Sequence, residues 1–464
     1  MIFGWLCFIV GAYFGVMLLA YGLGFWFEGL GAGGSHFAAI LCCMLICVMI
    51  TATLLTMAER KWGGFFQDRT GPNRARLPGL PNAVLGGLPH IIGDVVKMLT
   101  KEAFSPERAN KYLFKLAPML AFAPVFALFA IVPAGPTLAM TAADGTVRQV
   151  MMVAANPDFG LLYIFGIASF AVYGTSLAGW SSNNKFALLG GVRASSQLIS
   201  YEVALGLSLV GMMIAFSTVQ LAGPTGMVES QGQYIWSTTF GSFDVGLQGW
   251  GIFLQPVGFL LFFAAAFAET KRAPFDAPEG ESEIVGYFLE YSGMQFGLFM
   301  ISEFVEVVVL GGVIVAIFFG GYHLGVGDLW LQNLAFMKAH PVLLGGLYGL
   351  VFWLKVVVLI YVQLVIRWSF PRFRYDQVQT LGWKILLPMG LINLFVTGAL
   401  ILWDPTLHTL ALVGLLEIGV VIFLTVTPPR QVRREAEEAG HGHGHGGHDD
   451  HGHAAPALPS AGTH

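Results

Sequence analysis

About ten apolar stretches, each near the 20 residues needed to cross a bilayer as a helix, fix what this chain can become. They run roughly over residues 4–27, 37–57, 115–135, 158–179, 196–217, 249–270, 294–319, 342–366, 384–403 and 408–427. Only 11% of the residues are charged and 55% are apolar, against about 25% charge in a soluble domain. Mean hydropathy is +0.69. The expected fold class is therefore all-α, a polytopic membrane protein of about ten transmembrane helices. A net charge of −4 argues against a nucleic-acid partner.

The basic residues orient the helices. With an even number of spans both termini share one side. All the lysines and arginines except Arg148, Lys338 and Lys355 then fall on that side or in its loops. By the positive-inside rule that side is cytoplasmic. The first apolar stretch lacks a basic leading region and a clear cleavage site, so no cleavable signal peptide is expected. The outward loops 136–157, 218–248 and 320–341 suggest no chemistry. Cys7, Cys42, Cys43 and Cys47 lie in apolar runs without metal-site spacing and read as small buried residues.

Two cytoplasmic segments stand out. Between residues 58 and 114 the chain is basic, and Leu88, Ile91, Ile92, Val95, Val96 and Leu99 recur at helical spacing with Asp94, Lys97 and Lys101 between them. That stretch is too short and too charged to span, and predicts an interfacial amphipathic helix. Lipid-headgroup anchoring alone would account for its charge. The second segment, 269–291, crowds Glu269, Asp276, Glu279, Glu281, Glu283 and Glu290 beside Lys271 and Arg272. Carboxylates next to lipid are costly unless they have partners, water or a task.

Charges also lie inside the spans: Glu202, Glu303, Glu306, Lys355 and Glu417. One such residue reads equally well as an interhelical hydrogen bond. Several along successive spans, with Lys355, predict a hydrated polar path able to move protons, because burial and neighbours tune carboxyls toward neutral pKa. The tail from Pro428 is of another kind, with His441, His443, His445, His448, His451 and His453 among glycines. Its composition predicts disorder, and its spacing sets no coordination geometry.

The motifs occur in a telling order. Ala58-Glu59-Arg60-Lys61, Arg69-Thr70-Gly71-Pro72-Asn73-Arg74 and Lys97-Met98-Leu99-Thr100-Lys101-Glu102 come first. Trp180-Ser181-Ser182-Asn183-Asn184-Lys185 and the run Arg193 to Glu202 follow. Then come the 269–291 loop, Glu290-Tyr291-Ser292-Gly293-Met294, and Arg372-Phe373-Arg374-Tyr375-Asp376-Gln377 with Gly382-Trp383-Lys384. In this order they resemble the quinone-site membrane subunit of respiratory complex I, over about residues 37–403. The resemblance implies about eight helices in a family core at 37–403. Residues 1–36 would be an extra helix and loop, 404–427 an extra helix, and 428–464 a His-rich cytoplasmic tail.

The resemblance also implies a role. Such a subunit sits in the bacterial cytoplasmic (inner) membrane and carries no redox centre or metal. It encloses a chamber for its quinone substrate together with peripheral-arm subunits that hold flavin and iron–sulfur clusters, and it adjoins further membrane-arm subunits and lipid. Carried over by motif, the proton-coupling acids are Glu59, Glu202, Glu269, Asp276, Glu279, Glu281, Glu283, Glu290 and Glu303. Arg60, Arg69, Gly93, Asp94 and Arg272 would face the quinone. The step from Glu283 to Glu290 is one residue shorter than is usual in the family, and His90 and Gly93 stand where Gln and Ala are frequent. The homologous subunit of an energy-converting hydrogenase is disfavoured by the strong acidic loop. A stand-alone proton or cation channel is disfavoured by the large basic loop, which implies a docked partner.

Overall fold

The computed structural model describes residues 2–29, 33–75, 87–141, 147–240, 243–280, 283–325, 328, 331 and 335–427. Residues 1–415 form one compact unit and 416–464 a second. Among the described residues, eight helices are long and apolar enough to cross a membrane. The long elements are α1 (Ile2–Gly29), α2 (Gly33–Phe66), α4 (Lys111–Phe129), α5 (Gly160–Ser181), α6 (Lys185–Phe216) and α10 (Gly293–Phe318). They continue with α12 (Pro341–Ser369), α14 (Leu387–Trp403) and α15 (His408–Val426). The amphipathic stretch is a helix, α3 (Leu88–Thr100), started by a proline in its first turn, with Ile92, Val95, Val96 and Leu99 exposed.

One expected span is not continuous. Residues 249–270 divide into a single turn, α8 (Gly251–Leu254), and α9 (Pro256–Glu269), separated at Gln255 by extended, non-helical backbone (φ −143°). Pro256 cannot donate to the preceding turn, so the helix restarts there. At 1.5 Å per residue α9 reaches only about 21 Å, short of a ~30 Å hydrocarbon core. Gln255 compensates within the interior by donating to Thr397 Oγ1 at 2.7 Å.

The remaining elements are short. The loop after α4 carries a hairpin of β1 (Leu138–Thr141) and β2 (Val147–Val150), with Leu138 opposite Val150. The loop after α6 carries α7 (Met227–Gln231) and a second hairpin, β3 (Tyr234–Phe240) with β4 (Phe243–Gln248), its register shifted between Tyr234 and Trp236. A further turn, α11 (Ala335–Ala339), precedes α12, and α13 (Tyr375–Thr380) runs through a π-helical turn, Leu381–Leu386, into α14.

α10 lies at the centre, buried along nearly its whole length from Glu303 to Phe318, against α2, α4 and α12. Lipid tails are as apolar as leucine, so association rests on close backbone approach and hydrogen bonds. Gly174 on α5 meets α4 at such a point: a Cβ there would lie 2.5 Å from the Ala121 backbone nitrogen. Gly166, two turns earlier on α5, has open space beside it.

Gly174→Val is therefore expected to reduce accumulation of the chain in membranes, by overpacking of about 1–3 kcal/mol or more, while Gly166→Val accumulates normally. Equal membrane levels of the two variants, read by immunoblot, would contradict this packing.

Candidate functional site

The sequence motifs meet in pairs around the loop 270–292. Gln197 on α6 is fully buried and donates from Nε2 to the carbonyls of Ala268 at 2.7 Å and Phe275 at 2.8 Å. This pins the start of the loop to α6. Three residues further, Ser200 donates to Gln379 at 2.9 Å and Tyr201 to the Val378 carbonyl at 2.9 Å, while Trp383 Nε1 donates to Ser200 at 3.0 Å. Arg372 reaches from the same second segment to Asp276, its Nη2 donating to the carbonyl at 2.8 Å and to Oδ1 at 3.0 Å. At the far end of the loop, Ser292 donates to the Glu102 carbonyl at 2.9 Å and Tyr291 stacks on Phe114 with centroids 3.9 Å apart.

Within that frame the charges are paired. Glu59, in the C-terminal part of α2, accepts from two arginines: Arg272 Nη1 at 2.6 Å on Oε2 and Arg367 Nη1 at 2.7 Å on Oε1. Arg272 is buried and also lies 4.0 Å over the ring of Phe304. Next to it Lys271, 3% exposed, pairs with Glu306 on α10 at 3.2 Å. Burial opposes the ammonium charge, yet Glu306 and Glu303 hold Lys271 above the usual lysine pKa. Glu269 lies within electrostatic reach of Glu306, Glu202 and Lys271.

Glu279 and Glu303 face one another. Burial first, then the adjoining Glu303 and Asp276, push the Glu279 carboxyl well above its ordinary pKa. Protonated, it is the donor that a carboxyl–carboxylate contact needs. Tyr287 donates to Glu303 Oε1 at 3.3 Å, and burial followed by Glu303 raises its phenol well above the usual value. Five carboxyls, of Glu59, Glu269, Glu279, Glu303 and Glu306, thus share the interior with three cations, of Lys271, Arg272 and Arg367. The acids thus outnumber the cations, and carboxyls this close feel one another's charge.

The other expected site residues are placed as follows. Glu202, half-buried on α6, accepts a hydrogen bond from Ser169 on α5. Glu283 is exposed and pairs with Arg193 at 2.7 Å, which lowers its pKa. Glu290 accepts from Asn184 Nδ2 at 2.6 Å. Arg60 pairs with Asp94 on α3 at 2.6 Å, beside exposed Gly93. Arg69 turns away from that pair and bonds Gln67 at 2.7 Å. Glu281 lies outside the described residues.

Lys355 departs from the expected path. It does not join the acids of the loop; its ammonium donates to the carbonyls of Phe319 at 2.7 Å, Gly321 at 3.0 Å and His323 at 2.5 Å. Arg367 and Tyr287 join the site without a signal in the sequence. An arginine at a helix end on the basic side is ordinary, and a loop tyrosine gives no sign that it turns inward. Among the described residues no group of three or more His, Cys, Asp or Glu side chains could hold a metal.

With its carboxyl held well above the ordinary range by burial and by Glu303, Glu279 keeps its proton to higher pH than an exposed glutamate and ionises only as pH rises through its raised pKa. Infrared spectra of the intact complex at neutral pH should contain a buried carboxylic-acid band that Glu279→Gln removes. A band unaltered in the variant would refute the assignment.

A family model described as NADH dehydrogenase matches residues 38–398. The chain is 37% identical over 356 residues to an NADH-quinone oxidoreductase subunit of Flavobacterium johnsoniae, covering 76% of this chain and 91% of that one. It is 38% identical over 355 residues to an NADH-quinone oxidoreductase subunit of Cytophaga hutchinsonii, covering 76% and 93%. NADH-quinone oxidoreductase subunit 8 of Rhodothermus marinus is 38% identical over 363 residues, covering 78% and 96%.

Proposed function

The chain belongs to the NADH dehydrogenase family as a membrane subunit of an NADH:quinone oxidoreductase, and from that premise we propose that it couples quinone reduction to proton translocation. In this reading it forms a quinone-access chamber with peripheral-arm subunits carrying flavin and iron–sulfur clusters. The loop 270–292 and both termini face the cytoplasm, as the basic residues favour. The core at 37–403 carries the role, with neighbouring membrane-arm subunits and lipid around it.

One observation carries the reading. Paired charges run from Arg60–Asp94 beside α3, through the adjacent Glu59–Arg272 pair, to Lys271–Glu306 and Glu279–Glu303 in the interior. The exposed apolar side chains of α3 offer a surface for a lipophilic substrate. Reducing a quinone to a quinol takes up two electrons and two protons, so charge and field at Arg60–Asp94 change with each turnover. Because Glu59 and Arg60 are consecutive, a shift of either loads the arginine clamp. A displaced Arg272 alters the field on Glu279, whose ionisation it favours. Clustered carboxyls respond together to such a local change.

Glu303→Gln is expected to assemble normally and to lower quinone-dependent turnover about tenfold, or ~1.4 kcal/mol in the barrier, with proton pumping falling in step. Wild-type turnover with full pumping in that variant would end the coupling role. Arg60→Ala should weaken inhibition by quinone-site inhibitors more than it affects assembly; an unchanged inhibitor titration counts against the placement of the substrate.

A further inference from the structure

The end of the molecule opposite the acidic loop contains a second buried set of charges, built from the loops after α6 and α10 and from α12. Asp328 is at its centre. It pairs with His323 Nδ1 at 2.9 Å, accepts from the Tyr348 hydroxyl, and faces Gln248 Nε2 at 3.4 Å. Asp328, Tyr348 and His323 are 3%, 2% and 6% exposed. Burial opposes the Asp328 charge, but the hydrogen bonds from His323 and Tyr348 keep its pKa below the ordinary value. Lys355, midway along α12 and 4.2 Å over the Trp250 ring, lies within electrostatic reach of Asp328.

In the neutral ring, a hydrogen on Nδ1 meets the Asp328 carboxylate at 2.9 Å. The other ring nitrogen, Nε2, is then a bare acceptor. It is buried and has no hydrogen-bond partner among the described residues. Gly232 packs against it: a Cβ at that position would come within 2.6 Å of Nε2, so only glycine fits beside the ring. The Tyr322 ring lies 4.7 Å from the imidazole and its hydroxyl donates to Glu229. Tyr322 and Glu229 line a cavity of ≈ 10 Å³ with Gly135, Thr137 and Gly223, room for a single water. The titratable groups against the imidazole are Asp328 and Tyr322 on its own loop; behind them stand Glu229, bound by Tyr322, and Tyr348, bound to Asp328, while Lys355 holds the His323 carbonyl. Tyr21 of α1 lies within electrostatic reach of Tyr322.

We propose that this set is a proton-release site on the face opposite the acidic loop, His323 Nε2 accepting a proton that has crossed the bundle and passing it outward by the Tyr322–Glu229 cavity. Uptake converts the imidazole to imidazolium, and release restores the neutral ring with its Nδ1 hydrogen bond intact. Asp328 and Lys355 change partners in neither state and act as positioning residues. The imidazole is held on Nδ1 by Asp328, while Nε2 meets no hydrogen-bond partner among the described residues. The proposal rests on the coupling role argued above.

Its test uses the assembled complex in membrane vesicles, reading NADH-driven proton uptake against NADH oxidation. His323→Asn keeps a donor where Nδ1 stands but has no group in the place of Nε2. Glu229→Gln keeps the size of the side chain and its bond with Tyr322 while removing the charge. Both variants should retain wild-type NADH oxidation with an uncoupler present and lose part of the proton-to-electron ratio. A wild-type ratio in both overturns the site, as does an uncoupled rate that falls while the ratio holds, the mark of a structural knot. Glu303→Gln separates this from the broader reading: if it slows turnover while His323→Asn keeps the full ratio, only the release site fails. If Glu303→Gln also behaves as wild type, the coupling role itself is wrong.

Discussion

The carboxylate of Glu59, held between Arg272 and Arg367, is the joint on which the arrangement around the acidic loop depends. An ionised group in a low-dielectric interior is tolerated only when it is paired and hydrogen-bonded. Glu59 lies about two turns before the end of α2, Arg272 is in the loop after α9, and Arg367 is in the last turn of α12, so one carboxylate ties three separate stretches of chain. Removing either arginine would leave a buried acid short of a partner, which costs more than the pair itself contributes. The geometry also fixes Arg60, the next residue, and with it the approach of α3 through Asp94.

A chain that must bury its charges near lipid has two means of stabilising them, and this one uses both, at opposite ends. Around the acidic loop, acids meet cations from other stretches of chain and outnumber them. At the other end Lys355 is held chiefly by backbone carbonyls of residues 319–323, groups freed because the chain leaves the helix there.

The helices were legible because their signal is local: twenty apolar residues announce a span wherever the helix packs. The break at Gln255 was not, since Pro256 follows an apolar run as easily inside a kinked helix as at the start of a new one. The hairpins 138–150 and 234–248 carry mixed polar residues whose pairing depends on register between two short strands. In the site, the acids and the bases Lys271 and Arg272 could be named because charge is conspicuous among apolar residues. Their pairing could not, because Glu59 and Arg272 are 213 residues apart. The release set was invisible for the same reason: Glu229, His323, Asp328 and Tyr348 read singly as ordinary loop or helix polar residues.

The shortened step from Glu283 to Glu290 takes a different meaning from its geometry. The two acids do not address one another. Glu283 is bound by Arg193 and Glu290 by Asn184, both near the start of α6. The segment between them is thus anchored at each end on one helix, and Tyr287 turns inward from its middle to reach Glu303. A phenol kept protonated by burial is a permanent donor and cannot carry charge itself. It donates to Glu303, the carboxyl that adjoins Glu279. A shorter tether between two anchors on one helix limits how far Tyr287 can withdraw from that pair.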